Sequence, residues 1–524
     1  SGQANDTSIN GCGAEYVPTD NELRAIYAHQ GSSALHDAIG WPVSRFYISN
    51  TVADTFTQTF TYDVVSLKTG DETQMPSSGG ALLSCRTTPV AVASQIIVEA
   101  NDTAQFVKVD DTLSALKVKK GEDAVIRVVT KNAQGNSVPN VPFILRREGS
   151  KNRQNAEMIN KSITVINAAG ASARMNSSSS LLYGVTGADG TTSFTVKQDD
   201  SMGLVTNMYA QLYQLTIESN KLPVMFTVIT SPDTPLASYW GHMPETFTTR
   251  SGIAFKRPLL TAEHPAGQST MANNESWLSL NTAAKNDVSK SDCGEPYQPL
   301  LSEFQELYSE HPNGAIGTDL GLPLTNTWWA YDKIAYANVW YDQSINLSNG
   351  SSSRALSNTV AFVSCLVNPH AVAASIEMTS TALDAEKTAS NDGRPSATAA
   401  KGTAIRMTVI VRDSAGNLLP GANFNLIRGT ALDRAKNRLD STYDDLTIVP
   451  VTPAGVNMSL YNNGAQALLT TGSDGKATFD VTQNETYGLA TPLTATLMRD
   501  TTKSATMDVI FTVITSPNSP KAKY

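Results

Sequence analysis

The sequence FTVITSPDTP spans residues 226–235, and the nearly identical FTVITSPNSP spans residues 511–520, at an offset of 285 residues. Upstream, TGADGTTSFTV at residues 186–196 matches TGSDGKATFDV at residues 471–481 at the same offset. A fixed order with nearly constant spacing is what tandem duplication produces. The sequence therefore predicts two copies of one unit, with small insertions in the loops.

Length and composition narrow the class of protein. The chain has 524 residues, 40% hydrophobic and 17% charged, which suits three to five globular domains. The net charge is -9, and no run of Lys or Arg is present, so we expect no nucleic-acid binding. No apolar run is long enough to span a bilayer, and Ser1 in place of an initiator Met predicts an excised segment of a larger protein.

Each copy divides into a half that carries a pair of cysteines and a half that lacks cysteine. We expect four domains, at residues 1–93, 94–243, 244–373 and 374–524. The first copy lacks a counterpart of residues 244–281, so we expect its cysteine-bearing domain either to be truncated at the N-terminus or to borrow that segment from an earlier repeat.

The halves without cysteine have the pattern of short β-strands. Apolar and polar residues partly alternate at 124–129 and at 404–410, which is the period of a half-buried strand. Asp189-Gly190 and its counterpart Asp474-Gly475 are strong signals for a tight turn. Several short strands separated by such turns predict a β-sandwich.

A turn motif between two of these strands points to a family. Residues 132–139 (NAQGNSVP) and 413–420 (DSAGNLLP) follow the pattern D/N-x-x-G-N-x-x-P, which resembles the bacterial immunoglobulin-like domains of intimin and invasin. Those domains connect the following strands briefly, whereas here long polar stretches lie at about 148–182 and 430–468. We interpret these stretches as insertions with short strands of their own, packed against the sandwich or a neighbour.

The cysteine-bearing halves share a different order of elements. A short amphipathic helix is predicted at 18–27 and at 299–308, followed by aromatic strands at 46–49 and 328–331. This order resembles bacterial C-type lectin-like domains. The alternation as a whole resembles the large repeat adhesins of enteric bacteria, of the RatA and SinI type. The resemblance implies a mainly β, elongated chain in which immunoglobulin-like sandwiches alternate with α+β C-type lectin-like domains.

The four cysteines form one equivalent pair per copy. A metal site or a redox pair is disfavoured, because there is no C-x-x-C motif and the six histidines do not cluster in matching positions. We predict two disulfides, Cys12–Cys85 and Cys293–Cys365. Loops of this length correspond to about 4 kcal/mol of stabilisation in the chain-entropy model, and the pairing implies an oxidising compartment.

Motifs for catalysis or calcium binding are missing from the sequence. No G-x-S-x-G run surrounds a serine, and we predict no enzymatic activity. Sugar-binding C-type lectins use E-P-N or Q-P-D followed by W-N-D, and Glu295-Pro296-Tyr297 departs from that pattern at its third position. We predict no metal site and no cofactor.

One cluster of aromatic residues in the second copy is unusually dense for this chain. Large rings fill the core of a small irregular domain, or they form an adhesive contact surface or stack on sugars. Core filling is the favoured interpretation, and the second copy is the better candidate if either copy binds a receptor. The candidate residues are Trp328, Trp329, Tyr331, Tyr336, Trp340 and Tyr341.

The resemblance implies an extracellular repeat segment of a bacterial surface adhesin that mediates or spaces attachment to host cells or surfaces. The expected partners are a host-cell surface protein or glycan and the neighbouring repeats, in a monomeric rod anchored at the outer membrane by other parts of the protein. One alternative is a carbohydrate-binding module that stacks its aromatics on glycans without calcium. Another is an enzyme of the formylglycine-generating type, which would require reactive cysteines.

Overall fold

The computed structural model describes residues 12–30, 34–52, 56–57, 60–76, 79–159, 161–198, 200–213, 215–264, 267–356, 358–383, 393–439, 445–483, 487–519 and 521–524. Within these ranges, no helix has both the length and the apolar character needed to cross a bilayer.

The chain divides into two compact units. The first comprises residues 1–244 together with 271–275 and 318–323, and the second comprises residues 245–270, 276–317 and 324–524. Each unit contains a half with one disulfide, which we call the cystine half, and a sandwich with a hydrophobic core of its own. The boundaries expected between the four domains stay predictions.

Short helices belong to the cystine halves. The helix at Asp20–Gln30 is capped at its start by Thr19. The Glu22 amide donates to Thr19 Oγ1 at 3.2 Å, and the Thr19 amide donates to Glu22 Oε2 at 2.9 Å. In the second copy Leu300 replaces the capping Thr, but its amide still donates to Glu303 Oε2 at 2.6 Å. In the part of the chain that the structure describes, the α-helices are α1 (Asp20–Gln30), α2 (Ala34–Ile39), α3 (Val288–Ser291), α4 (Leu301–Glu310) and α5 (Ala315–Asp319).

The first cystine half carries a three-stranded antiparallel sheet in the order β1-β2-β3. Its strands are β1 (Phe46–Val52), β2 (Thr61–Ser66) and β3 (Glu72–Pro76). The corresponding strands of the second copy lie in a sheet of six, in the order β18-β19-β23-β20-β21-β22, beside a small β16-β17 hairpin. These strands are β16 (Thr246–Thr248), β17 (Ala254–Lys256), β18 (Gln268–Ala272), β19 (Glu275–Asn281), β20 (Trp328–Tyr336), β21 (Val339–Ile345), β22 (Ser352–Arg354) and β23 (Val360–Phe362).

Both predicted disulfides are confirmed, Cys12–Cys85 and Cys293–Cys365, with Cα atoms 5.8 Å and 5.6 Å apart. The backbone beside each disulfide is also equivalent. The Arg86 amide donates to the Tyr16 carbonyl in the first copy, and the Leu366 amide donates to the Tyr297 carbonyl in the second, both at 2.7 Å. An equivalent disulfide therefore links the same two segments in each copy.

The first sandwich has two sheets, one in the order β10-β9-β12-β7-β4 and the other in the order β11-β8-β13-β14-β6-β5, with β15 paired to β14. The predicted strand at 124–129 is confirmed as β7. The strands are β4 (Gln95–Ala100), β5 (Phe106–Lys108), β6 (Ser114–Lys119), β7 (Ala124–Lys131), β8 (Pro142–Arg147), β9 (Ile163–Asn167), β10 (Ser172–Met175), β11 (Leu181–Val185), β12 (Thr191–Lys197), β13 (Leu204–Leu212), β14 (Leu222–Pro232) and β15 (Gly241–Met243).

The second sandwich repeats this topology, with sheets in the orders β24-β26-β31-β28-β29 and β25-β33-β32-β27-β30. The mainly β architecture with immunoglobulin-like sandwiches is thus confirmed, whereas the C-type lectin-like alternation stays a prediction. The strands are β24 (Ser375–Ser380), β25 (Ser396–Ala400), β26 (Ile405–Arg412), β27 (Asn423–Arg428), β28 (Leu446–Thr452), β29 (Met458–Leu460), β30 (Gln466–Thr470), β31 (Lys476–Thr482), β32 (Leu489–Leu497) and β33 (Ser504–Thr512).

The turn motif has a local physical cause. In the first copy Asn132 Oδ1 accepts from the backbone amides of Gln134 and Asn136 at 3.0 and 2.9 Å. In the second copy Asp413 Oδ1 accepts from the amides of Ala415 and Asn417, both at 2.9 Å. A short polar side chain that closes its own turn explains why D or N opens the motif.

The polar stretches at 148–182 and 430–468 are integral to the sandwiches and not additions to them. β9 and β10 lie in the first stretch, and β9 hydrogen-bonds along β12 in the middle of a sheet. β28 and β29 take the same places in the second sandwich. The expectation of an insertion packed against the sandwich is therefore corrected: each stretch supplies two strands of one sheet.

Candidate functional site

The six aromatic residues singled out in the second copy do not form one surface. Trp328 and Trp329 are 0% and 3% exposed. The Trp328 ring packs 5.3 Å from that of Phe362, and Trp329 Nε1 donates to the Leu280 carbonyl at 2.6 Å. Because both indoles fill the core, they are removed from the candidate adhesive surface.

Tyr331 joins the second cystine half to the second sandwich. Its hydroxyl donates to Glu295 Oε1 at 3.2 Å, and the Arg499 guanidinium lies 3.9 Å from its ring centroid. Arg499 also pairs with Glu295, Nε to Oε1, at 3.3 Å. Burial raises the pKa of the Tyr331 phenol well above its usual value, so the group stays neutral. Tyr331 therefore acts as a contact within the second unit.

Strand register divides the remaining aromatics between two faces of the β20–β21 hairpin. Ala335 pairs with Trp340, and Tyr336 pairs with Val339 on the opposite face. Trp340 Nε1 donates to Asn425 Oδ1 in the sandwich at 2.7 Å, and Ala335 lines a gap against the same sandwich. One face of the hairpin is thus turned to the sandwich and the other away from it.

The outward face ends in an exposed apolar patch. Tyr336 is 55% exposed, Val339 50% and Ile334 41%. The Arg354 guanidinium lies 3.5 Å from the Tyr336 ring centroid and 5.5 Å from that of Tyr341. We call these five residues, Ile334, Tyr336, Val339, Tyr341 and Arg354, the hairpin-tip surface.

The turn of this hairpin is tight. Ala337 and Asn338 both have positive φ angles, 48° and 58°. Two central residues in the left-handed region between directly paired Tyr336 and Val339 are typical of a type I′ turn, which matches the twist of the strands. The exposed side chains therefore project from a short and well-defined loop.

The equivalent hairpin of the first copy is used differently. Residues 53–55 and 58–59 lie outside the described residues. Phe56, which lies between these ranges, and Phe60, which follows them, are buried. Phe56 stacks 6.1 Å from Phe194 in the sandwich core, and Phe60 lies edge-on to Tyr213 at 4.6 Å. Phe56 and Phe60 of this hairpin thus pack on their own sandwich.

Each unit also has a cleft between its cystine half and its sandwich, about 430 Å³ in the second unit and about 320 Å³ in the first. Matching segments line both, such as 419–423 and 138–142. The second cleft contains charged side chains, among them Asp332, Arg499 and Asp500, whereas none of the described residues that line the first is charged. The two copies thus retain the cleft but differ in its chemistry.

Sequence reasoning missed the clefts and the role of Arg354. Strand β22, which carries Arg354, has no aromatic or motif signal, so nothing in the sequence connects this arginine to Tyr336. Among the described residues, no group of three His, Cys, Asp or Glu side chains is placed to hold a metal ion.

Two domain models match the chain in alternation. The model described as "Adhesion domain" (InvE_AD) matches residues 2–86 and 232–366, which hold the cystine halves. The model described as "Bacterial Immunoglobulin-like 21" matches residues 121–229 and 402–514, which hold the sandwiches. The two assignments interleave in the order that the duplication predicts.

Solved structures of similar proteins include the Yersinia pseudotuberculosis adhesin InvE, at 21% identity and a TM-score of 0.44, covering 63% of this chain and 90% of that one. The Escherichia coli adhesin FdeC gives 8% identity, a TM-score of 0.17 and coverages of 87% and 75%. The D0-D1 domain of intimin gives 10% identity and a TM-score of 0.15, with 80% of this chain and 98% of that one covered. Because these identities and TM-scores are low, the solved structures carry no argument beyond the matches to the two domain models. No curated protein matches the chain.

Proposed function

This chain belongs to the invasin- and intimin-like bacterial surface adhesins, and from that premise we propose that its second adhesion domain attaches to a host-cell surface protein through the hairpin-tip surface. The observation that supports this is the exposure of Ile334, Tyr336 and Val339 at one tight turn beside Arg354. Aromatic residues and arginine are enriched among the residues that dominate protein–protein binding energy.

A protein receptor fits this surface better than a glycan. Sugars stack on the face of an aromatic ring, but the Arg354 guanidinium already covers one face of Tyr336 at 3.5 Å. The exposed neighbours Ile334 and Val339 are aliphatic and offer no hydrogen bonds to sugar hydroxyls. The first adhesion domain, whose Phe56 and Phe60 are buried, serves in this proposal as a spacer.

Location and anchoring complete the proposal. Members of an adhesin family act outside the cell, and two disulfides require an oxidising compartment. We place the chain at the bacterial surface, held at the outer membrane by other parts of the protein that carries it. No residue of the hairpin-tip surface needs a cofactor for this role.

The test is attachment of cultured host cells to the immobilised chain. Replacing both Tyr336 and Arg354 by Ala should lower attachment about tenfold or more, because residues at the centre of an interface contribute about 2 kcal/mol or more each. The matched control is Tyr461→Ala, since Tyr461 is 58% exposed on the second sandwich. Unchanged attachment of the double variant, or an equal loss in the control, would refute the assignment. Binding of the unmodified chain on a glycan array would favour the carbohydrate alternative.

A further inference from the structure

The same hexapeptide, Thr-Val-Ile-Thr-Ser-Pro, ends both sandwiches, at residues 227–232 and 512–517. In the first unit all six residues are buried or half-buried. In the second, Ile514 is 103% exposed, and Thr515 and Pro517 are exposed as well. Identical sequence at an identical place in the fold differs in burial because something covers the first copy.

Two glycines allow the covering segments of the first unit to approach the hexapeptide closely. A Cβ atom added to Gly241 would lie 1.7 Å from the Ser231 carbonyl oxygen, and one added to Gly321 would lie 1.9 Å from that of Ile229. Gly241 opens β15, which runs parallel to β14. Only glycine permits such backbone contact, so this surface is built to receive a specific backbone.

The buried carboxylate of Glu275 is hydrogen-bonded to the hexapeptide and to the loop that follows it. Glu275 is 2% exposed, and its Oε1 atom accepts from Ser231 Oγ at 2.7 Å and from the backbone amides of Ser238 and Tyr239 at 3.0 Å. Residues 271–275 and 318–323 belong to the same compact unit as residues 231–239. Three donors converge on one carboxyl oxygen, so Glu275 is an anchor of this contact.

The second sandwich holds the first part of its own loop, residues 516–519, in the same manner. Arg434 donates to the Ser519 carbonyl and, at 3.2 Å, to Asn518 Oδ1. In the first unit Arg153 donates to the Thr234 carbonyl and, at 2.5 Å, to Asp233 Oδ1. Ser516 is the counterpart of Ser231. The first part of the loop that receives Glu275 in the first unit is thus held by an equivalent arginine in the second.

We infer that residues 512–519 and 521–524 form a docking surface for another adhesion domain of the same type. Its occupant would be a further copy of segment 240–323, with counterparts of Gly241 and Gly321 on the hexapeptide and a counterpart of Glu275 at Ser516. A second molecule of this chain is a poor occupant, because its Glu275 is already bound to its own Ser231. The inference is independent of the receptor role proposed for the hairpin tip.

Thiol labelling tests this directly, since all four native cysteines are in disulfides. Ile514→Cys in the present chain should react quickly with a soluble thiol reagent, and the matched Ile229→Cys should react slowly. Because Tyr524 aligns with Tyr239, a copy of residues 240–524 can be appended after Tyr524 in register. In that extended chain, the cysteine at 514 of the original repeat should react about tenfold or more slowly, as protected sites do.

A variant of the extended chain separates docking from mere crowding. Replacing Glu275 by Ala and Gly321 by Val in the appended copy alone should restore fast labelling at position 514. Fast labelling without these changes would overturn the inference. Slow labelling in the extended chain that persists after both replacements would also overturn the inference. So would slow labelling of Ile514→Cys in the unextended chain.

Discussion

Asp63 is a buried carboxyl group in β2 of the first adhesion domain, 8% exposed. Burial, with the nearby charges of Glu72 and Asp20, raises its pKa to about 6. An unfolded aspartate titrates near pH 4, so the folded state binds the proton more tightly. The stability that this proton contributes is present below about pH 4 and is lost as the pH rises through about 6.

The Asp63→Asn variant removes this penalty. We expect its melting temperature to exceed that of the wild type near pH 7 and the difference to shrink towards pH 4, in thermal scans across that range. Asp111→Asn is the control, because the Asp111 side chain is 97% exposed. A difference that grows towards low pH, or one shared by the control, would contradict the assignment.

Sequence reasoning succeeded at the residue scale where one local rule decides the outcome. The amphipathic pattern at 18–27 predicted the first long helix, and the cysteines were paired correctly because each copy has one pair. It missed Arg147 and its counterpart Arg428, which are 2% and 1% exposed. Arg147 donates to the Met175 carbonyl at 2.9 Å and to Ser150 Oγ at 2.7 Å. Such burial depends in part on the Met175 carbonyl of another strand, β10, which no local pattern reveals.

At the scale of elements, the equivalent hairpins β1–β2 and β20–β21 of the two adhesion domains have different uses. In the first copy, Phe60 is 0% exposed between Tyr183 and Tyr213 of the sandwich. In the second copy, Trp340 makes a polar contact with Asn425, and the tip stays exposed. The sequence showed both sets of aromatics but not their faces, because the register depends on a two-residue turn, Ala337-Asn338, without a strong turn signal.

The hairpins should therefore differ in how strongly they stabilise their units. Phe60→Ala removes a fully buried ring and should lower the free energy of unfolding by about 3–5 kcal/mol. Trp340→Phe keeps a ring but removes the hydrogen bond to Asn425, which costs about 1 kcal/mol. Urea denaturation of both variants measures the difference. Equal losses would show that the two hairpins contact their sandwiches alike.

At the scale of the whole molecule, the duplication was the most informative feature of the sequence. It correctly predicted equivalent sandwiches, such as Phe143, Phe194 and Phe226 matching Phe424, Phe479 and Phe511 in the two cores. It could not predict how the copies diverged, since the charged cleft beside Arg499 and the covered hexapeptide at 227–232 both arise from contacts between segments distant in sequence.

Because each compact unit has its own hydrophobic core and its own disulfide, we expect the two units to unfold in separate transitions. Replacing Cys12 and Cys85 by Ala opens a loop with a sequence separation of 73 residues, and replacing Cys293 and Cys365 opens one of 72. Each change should lower the stability of its own unit by about 4 kcal/mol. Calorimetry should show each double variant shifting a different heat-absorption peak, and the quadruple variant shifting each peak by the amount seen in the corresponding double variant, because distant sites without shared partners act independently. A single peak that responds equally to either pair would mean that the units unfold as one cooperative body.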